Sequence, residues 1–220
     1  MEFYFFRLYF AIQSNLKMNQ HLQDISEIRS MMERSSRFIS FSGLSGVFAG
    51  SFALIGAYLA YQRILSEYPS NYLNLQDNAP LLKYIIIDGI SVLILSLSVS
   101  AYFSIRNAKR KGINIWSSSS KRLFSNMAIP LVAGGLFSLI LLKHTPHLID
   151  AATLVFYGLA LVNASKYTYD DIRYLGYIEI VLGLICGVLD EWKLGLLFWA
   201  IGFGVLHIVY GIVMYRKYES

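Results

Sequence analysis

Six apolar stretches, 38–61, 84–105, 123–142, 148–164, 172–189 and 194–215, take up more than half of this 220-residue chain. They are 17 to 24 residues long, and a helix needs about 20 apolar residues to cross the hydrocarbon of a bilayer. Backbone N–H and C=O groups cannot stay unpaired in lipid, so a spanning segment is either a helix or a strand of a closed barrel. The period-2 alternation of barrel strands is missing. Charged residues make up 15% of the chain, against roughly 25% in soluble domains. The expected fold is therefore all-α, a polytopic membrane protein of six transmembrane helices. A soluble globular enzyme, a disordered chain and a disulfide scaffold are excluded; the single cysteine, Cys186, sits inside the fifth stretch.

The net charge of +5 has an explanation in topology. Lys and Arg gather in loops that remain cytoplasmic. One side of the expected bundle holds Arg29, Arg34, Arg37, Arg106, Lys109, Arg110, Lys111, Lys121, Arg122, Lys166, Arg173, Arg216 and Lys217; the other holds Arg63, Lys83, Lys143 and Lys193. This bias predicts that both termini are cytoplasmic, and it leaves no excess charge to imply nucleic acid as a partner. Tyr58, Tyr61, Tyr84 and Trp192 on one side, with Tyr102, Tyr167, Tyr169, Tyr174 and Tyr215 on the other, mark the headgroup levels that such rings favour.

Ahead of the spans, 1–37 forms an N-terminal segment, followed by the membrane domain 38–216 and a short tail, 217–220. Residues 1–17 read in two ways, as a start assigned too far upstream (Met18 begins a more conventional opening) or as a short interfacial anchor. From Asn19 onward, Leu22, Ile25, Ile28 and Met32 recur at helical spacing, which predicts an amphipathic helix lying on the membrane surface.

Small residues within the spans predict where helices approach closely. In span 1, Gly43, Gly46, Gly50, Ala53, Ala57 and Ala60 share one face, so span 1 is expected to pack centrally. Gly176, Glu179, Gly183, Cys186 and Asp190 line one face of span 5, and Ala200, Gly204, His207 and Gly211 one face of span 6. The brief connection at 190–193 predicts an antiparallel hairpin of these two spans, clamped by Glu179 and His207. Span 2 carries a polar stripe from Asp88 and span 4 one from Asp150 through Thr153 and Tyr157. Pro130 is expected to kink span 3.

Glu179 and His207 are the first candidates for chemistry, because an ionisable group near mid-bilayer costs several kcal/mol unless it is paired, hydrated or neutralised. Such a pair can hold or pass a proton, bind a ligand, or simply fix two helices in register. Tyr157, Asn163, Asn126 and Tyr210 lie at similar depth and could extend a polar network, and Asp88 and Asp150 complete the candidate set. His144, His147 and Asp150 carry metal-compatible side chains, yet their spacing matches no metal motif, so no metal is expected. No phosphate-binding glycine loop, zinc helix or nucleophile elbow is present. Neither a cofactor nor a catalytic residue is therefore expected.

Three segments carry a family resemblance: Arg34-Ser-Ser-Arg-Phe-Ile-Ser-Phe-Ser-Gly-Leu-Ser-Gly46, Tyr157-Gly-Leu-Ala-Leu-Val-Asn-Ala-Ser-Lys-Tyr167 and Gly202-Phe-Gly-Val-Leu-His-Ile-Val-Tyr-Gly211. From about Met18 to the C-terminus the chain resembles a family of uncharacterised six-span bacterial integral membrane proteins. The resemblance implies a bacterial cytoplasmic membrane location and brings no activity with it. The sequence alone favours a structural, regulatory or partner-binding role, with the bilayer and a membrane-protein partner or second copy as neighbours. The alternative is a proton-linked transporter or sensor built on Glu179 and His207.

Overall fold

The computed structural model describes residues 25, 28, 42–67, 78–112, 115–189 and 192–219. The chain divides into two units, Met1–Arg37 and Phe38–Ser220. In the first, Ile25 and Ile28 are helical and exposed; the rest of the expected surface helix lies outside the described residues. The second unit is all-helical, without a strand among the described residues, and six of its helices are long and apolar enough to cross a membrane.

These are α1 (Gly43–Glu67), α2 (Ala79–Arg110), α3 (Ser118–His144), α4 (Ile149–Ala164), α5 (Asp171–Leu189) and α6 (192–218). Short 3₁₀ turns, Pro146–Leu148 and Ser165–Tyr167, flank α4. α6 is not uniform: between α-helical Trp192–Trp199 and His207–Tyr218 lies a π-helical stretch, Ala200–Leu206. The helices overrun the apolar stretches because their ends are capped by polar residues. Asn78 accepts a hydrogen bond from the Leu81 N–H, with Pro80 in the first turn, and α2 closes on Lys109 and Arg110. Ser117 accepts from the Ser120 N–H at the start of α3. These pairings satisfy backbone donors that a helix start leaves free. Pro130 is buried within α3, which continues on both sides of it.

Glycines set the packing. A Cβ on Gly43, Gly46 or Gly50 of α1 would press on the backbone of α6 at Tyr215, Gly211 and Gly204 respectively. The two helices therefore cross with main chains nearly touching, antiparallel. A second crossing joins α4 and α5, where Gly158 and Gly176 face each other and Gly183 meets Ala151 and Val155. Close approach of this kind replaces the hydrophobic effect as the force that associates helices in lipid. Outside these contacts, α3 lies on α4 through Gly134 beneath Phe156, and α2 lies on α1 through Gly56 beneath Val92.

α1 packs between α2 and α6, and α6 also meets α4 and α5. α6 is therefore the element common to both halves. α5 packs mainly on α4 and more lightly on α6, the next span of the hairpin. A small-residue stripe reports that something can approach closely, but it does not identify the approaching helix.

Large apolar side chains point outward all around, including Ile90, Ile94 and Leu97 of α2, Leu136 and Ile140 of α3, and Val188 of α5. In water such a surface would drive aggregation. Against lipid tails it is ordinary solvent exposure.

Candidate functional site

Glu179 is fully buried, with 0% exposure, in the middle of α5. The buried side of that helix, Ile172, Leu175, Gly176, Glu179, Gly183 and Cys186, follows the helical repeat, so the glutamate points inward of necessity. Its carboxylate abuts Gly202 in the π-helical stretch of α6: a Cβ there would lie 2.6 Å from Oε2 and would also overlap Leu154 Cδ2. Neither carboxylate oxygen has a hydrogen-bond partner among the described residues.

His207 lies beside it, with Nδ1 3.6 Å from Glu179 Oε1. That distance is too long for a hydrogen bond. The Nδ1 bond is instead made to the Gly202 carbonyl at 2.9 Å, and Nε2 lies 2.7 Å from the Tyr157 hydroxyl. A carbonyl can only accept, so Nδ1 carries a proton. With the ring neutral, the Tyr157 hydroxyl donates to Nε2. With the ring charged, Nε2–H donates to the same oxygen, because the hydroxyl can turn. His207 thus keeps both bonds in either protonation state. Tyr157, Phe203 and His207 stack on one another, with centroids 5.0 to 6.0 Å apart, and Trp199 extends the group.

The π-helical turn makes this geometry. It places the carbonyl of Gly202 five residues before His207 within reach of the ring, and its wider coil divides the two faces of α6. Gly204 and Gly211 meet α1, while Gly202 and His207 meet α4 and α5. The small-residue face expected for α6 meets α1 at Gly204, the His207 carbonyl and Gly211, while the His207 ring leaves that face for α4 and α5. A sequence wheel assumes one uniform period, and the π stretch breaks it.

The remaining candidates separate. Tyr157 belongs to the site. Asp150 stands further along α4 with Oδ2 against Gly195 of α6, where a Cβ would lie 2.6 Å away. Asp88 of α2 faces Gly56 of α1, with Oδ2 3.2 Å from the position of a Cβ there, and so sits on a different helix pair. Asn163 is six residues beyond Tyr157, about 9 Å along α4. Asn126 is half-buried and donates to the Arg122 carbonyl of its own helix. Tyr210 packs on a buried cluster of Tyr169, Ile172, Leu175 and Met214, and its hydroxyl is buried without a partner. His144 and His147 are exposed, and no three metal-ligating side chains converge among the described residues.

Sequence reasoning missed three features. Gly158, the one glycine of α4, forms half of the α4–α5 crossing. Gly195 and Gly202 receive the two carboxylates. At the opposite end of the bundle, the C-terminal tail closes over the start of α1: Ser42 Oγ donates to Glu219 Oε2 at 2.9 Å and the Gly43 N–H donates to Oε1. Lys217 and Tyr218 each donate to Asp171 Oδ2 at 2.7 Å. Tyr169 stacks on Tyr218 at 4.1 Å, and burial, with the nearby Glu219 and Tyr218, pushes its phenol up to about 12.

No family profile, no curated protein and no solved structure matches the chain.

Proposed function

We propose that this protein is a proton-linked membrane protein, a transporter of a small solute or ion or a sensor, whose working group is Glu179 with His207 and Tyr157. One observation carries the reading: a fully buried glutamate that makes no hydrogen bond among the described residues, beside a histidine whose own bonds survive a change of protonation. A helix clamp, the structural alternative, would spend the carboxylate on a bond, since an unpaired buried polar group costs roughly 1–3 kcal/mol or more. Low polarity favours the net-neutral state of the pair, one shared proton held on either residue. π-helical turns are frequent at functional sites, and this one supplies the Gly202 carbonyl and the space for the carboxylate.

The distribution of Lys and Arg supports cytoplasmic termini. The experiment is infrared difference spectroscopy of the purified protein in lipid vesicles between pH 5 and 8. Wild type gives a carboxyl signal that is lost in Glu179→Gln while the helical content stays unchanged. Identical spectra for wild type and Glu179→Gln overturn the reading.

A further inference from the structure

α6 has two glycine notches, Gly195 and Gly202, and each is filled by a carboxylate from a neighbouring helix. Asp150 Oδ2 and Glu179 Oε2 each lie 2.6 Å from where the glycine's Cβ would be. A side chain at either position would evict the carboxylate. The notches are seven residues apart, two helical turns or about 10 Å. Leu154 fills the interval. It follows Asp150 by one turn on the same face of α4, is completely buried, and its Cδ2 crowds the same Gly202 notch as Glu179.

From this we infer that Asp150 is the proton-access station of the Glu179 site, and that Leu154 is the apolar plug between them. The inference rests on the proton-linked reading proposed above. Glu179 is the unpartnered, buried end of the route. Asp150 is only partly buried and stands near the end of the bundle opposite the C-terminal tail. A proton leaves the Asp150 carboxyl, crosses the interval on transient water when Leu154 swings aside, and protonates the Glu179 carboxylate; no other bond changes. Among the described residues, the titratable groups facing this route are Cys186 of α5 near Asp150, and His207 of α6 and Tyr157 of α4 at the Glu179 end. His147, one turn before Asp150, is exposed. Among the described residues, neither lysine nor arginine is one of these groups.

The test follows the Glu179 carboxyl infrared signal after a rapid pH jump in lipid vesicles. Asp150→Asn, nearly the same shape, is expected to slow its appearance by about tenfold or more without abolishing it, and Asp150→Glu to restore the rate. Leu154→Ala, which opens the interval to water, is expected to accelerate it; this variant is informative only beside Asp150→Asn, whose rate decides the case. A Glu179 signal that rises at the wild-type rate in Asp150→Asn overturns the access route and leaves the Glu179 reading standing. Absence of any Glu179 signal in the wild type overturns both.

Discussion

Replacing glycine by alanine at different places in this bundle should change stability in opposite directions, and the geometry says where. A Cβ at Gly158 would stand 2.6 Å from the Gly176 carbonyl oxygen, 2.7 Å from Ile180 Cγ1 and 2.9 Å from the Ile180 nitrogen. Ordinary van der Waals contact begins at 3.4 Å. Two of the three obstacles are backbone, so a rotamer change cannot relieve them; α4 and α5 must separate by about 0.8 Å. A gap of about 0.5–1 Å forfeits a quarter to a half of each dispersion contact across the interface, and overpacking of this sort costs about 1–3 kcal/mol. Gly89 of α2 and Gly135 of α3 meet nothing within 4 Å. There alanine adds only helix propensity, about 0.5–1 kcal/mol of stabilisation. The same gain applies at Gly158, so subtracting the two results isolates the packing cost. Reversible unfolding in mixed micelles with a denaturing detergent, followed by circular dichroism, measures both. If Gly158→Ala proves as stable as Gly89→Ala and Gly135→Ala, close backbone contact does not hold α4 and α5 together, and the reasoning fails.

Other perturbations follow from the same structure. Glu219→Ala removes the acceptor for Ser42 Oγ and the Gly43 N–H; loss of a helix-start cap typically costs about 1 kcal/mol, to be seen as a lower unfolding midpoint and faster amide exchange at the start of α1. Tyr157→Phe strips the partner from His207 Nε2 and should destabilise by about 1–2 kcal/mol; unfolding identical to wild type would mean the bond is not formed in the membrane. In alkali, Tyr169 contributes stability in full below about pH 10, its unfolded value, and loses that contribution as pH rises towards 12, because burial keeps its folded phenol protonated longer. The amount is about 2–3 kcal/mol. Alkaline unfolding curves of wild type and Tyr169→Phe should therefore differ most in slope between pH 10 and 12; parallel curves there would contradict the assigned environment.

The six spans were legible in the sequence because length and apolarity are local quantities that the bilayer reads one segment at a time. The inward position of Glu179 was legible too, since it shares a helical face with Gly176, Gly183 and Cys186, and position on a face follows from spacing along one helix. What each face meets was decided only by tertiary structure. Gly43, Gly46 and Gly50 announced a close approach without naming α6, and Gly158 is so ordinary a residue in its own segment that nothing local set it apart. The backbone of His207 lies on the Gly204–Gly211 face against Gly46, but where its ring goes was not legible, because a π-helical turn changes the period within the span. That turn joins Gly202 O, His207, Tyr157 and Glu179, which come from three helices. The notch at Gly195 that holds Asp150, and the hold of Glu219 on the start of α1, have the same character. Each joins residues more than forty positions apart, and a chain carries no local periodicity that records such a distance.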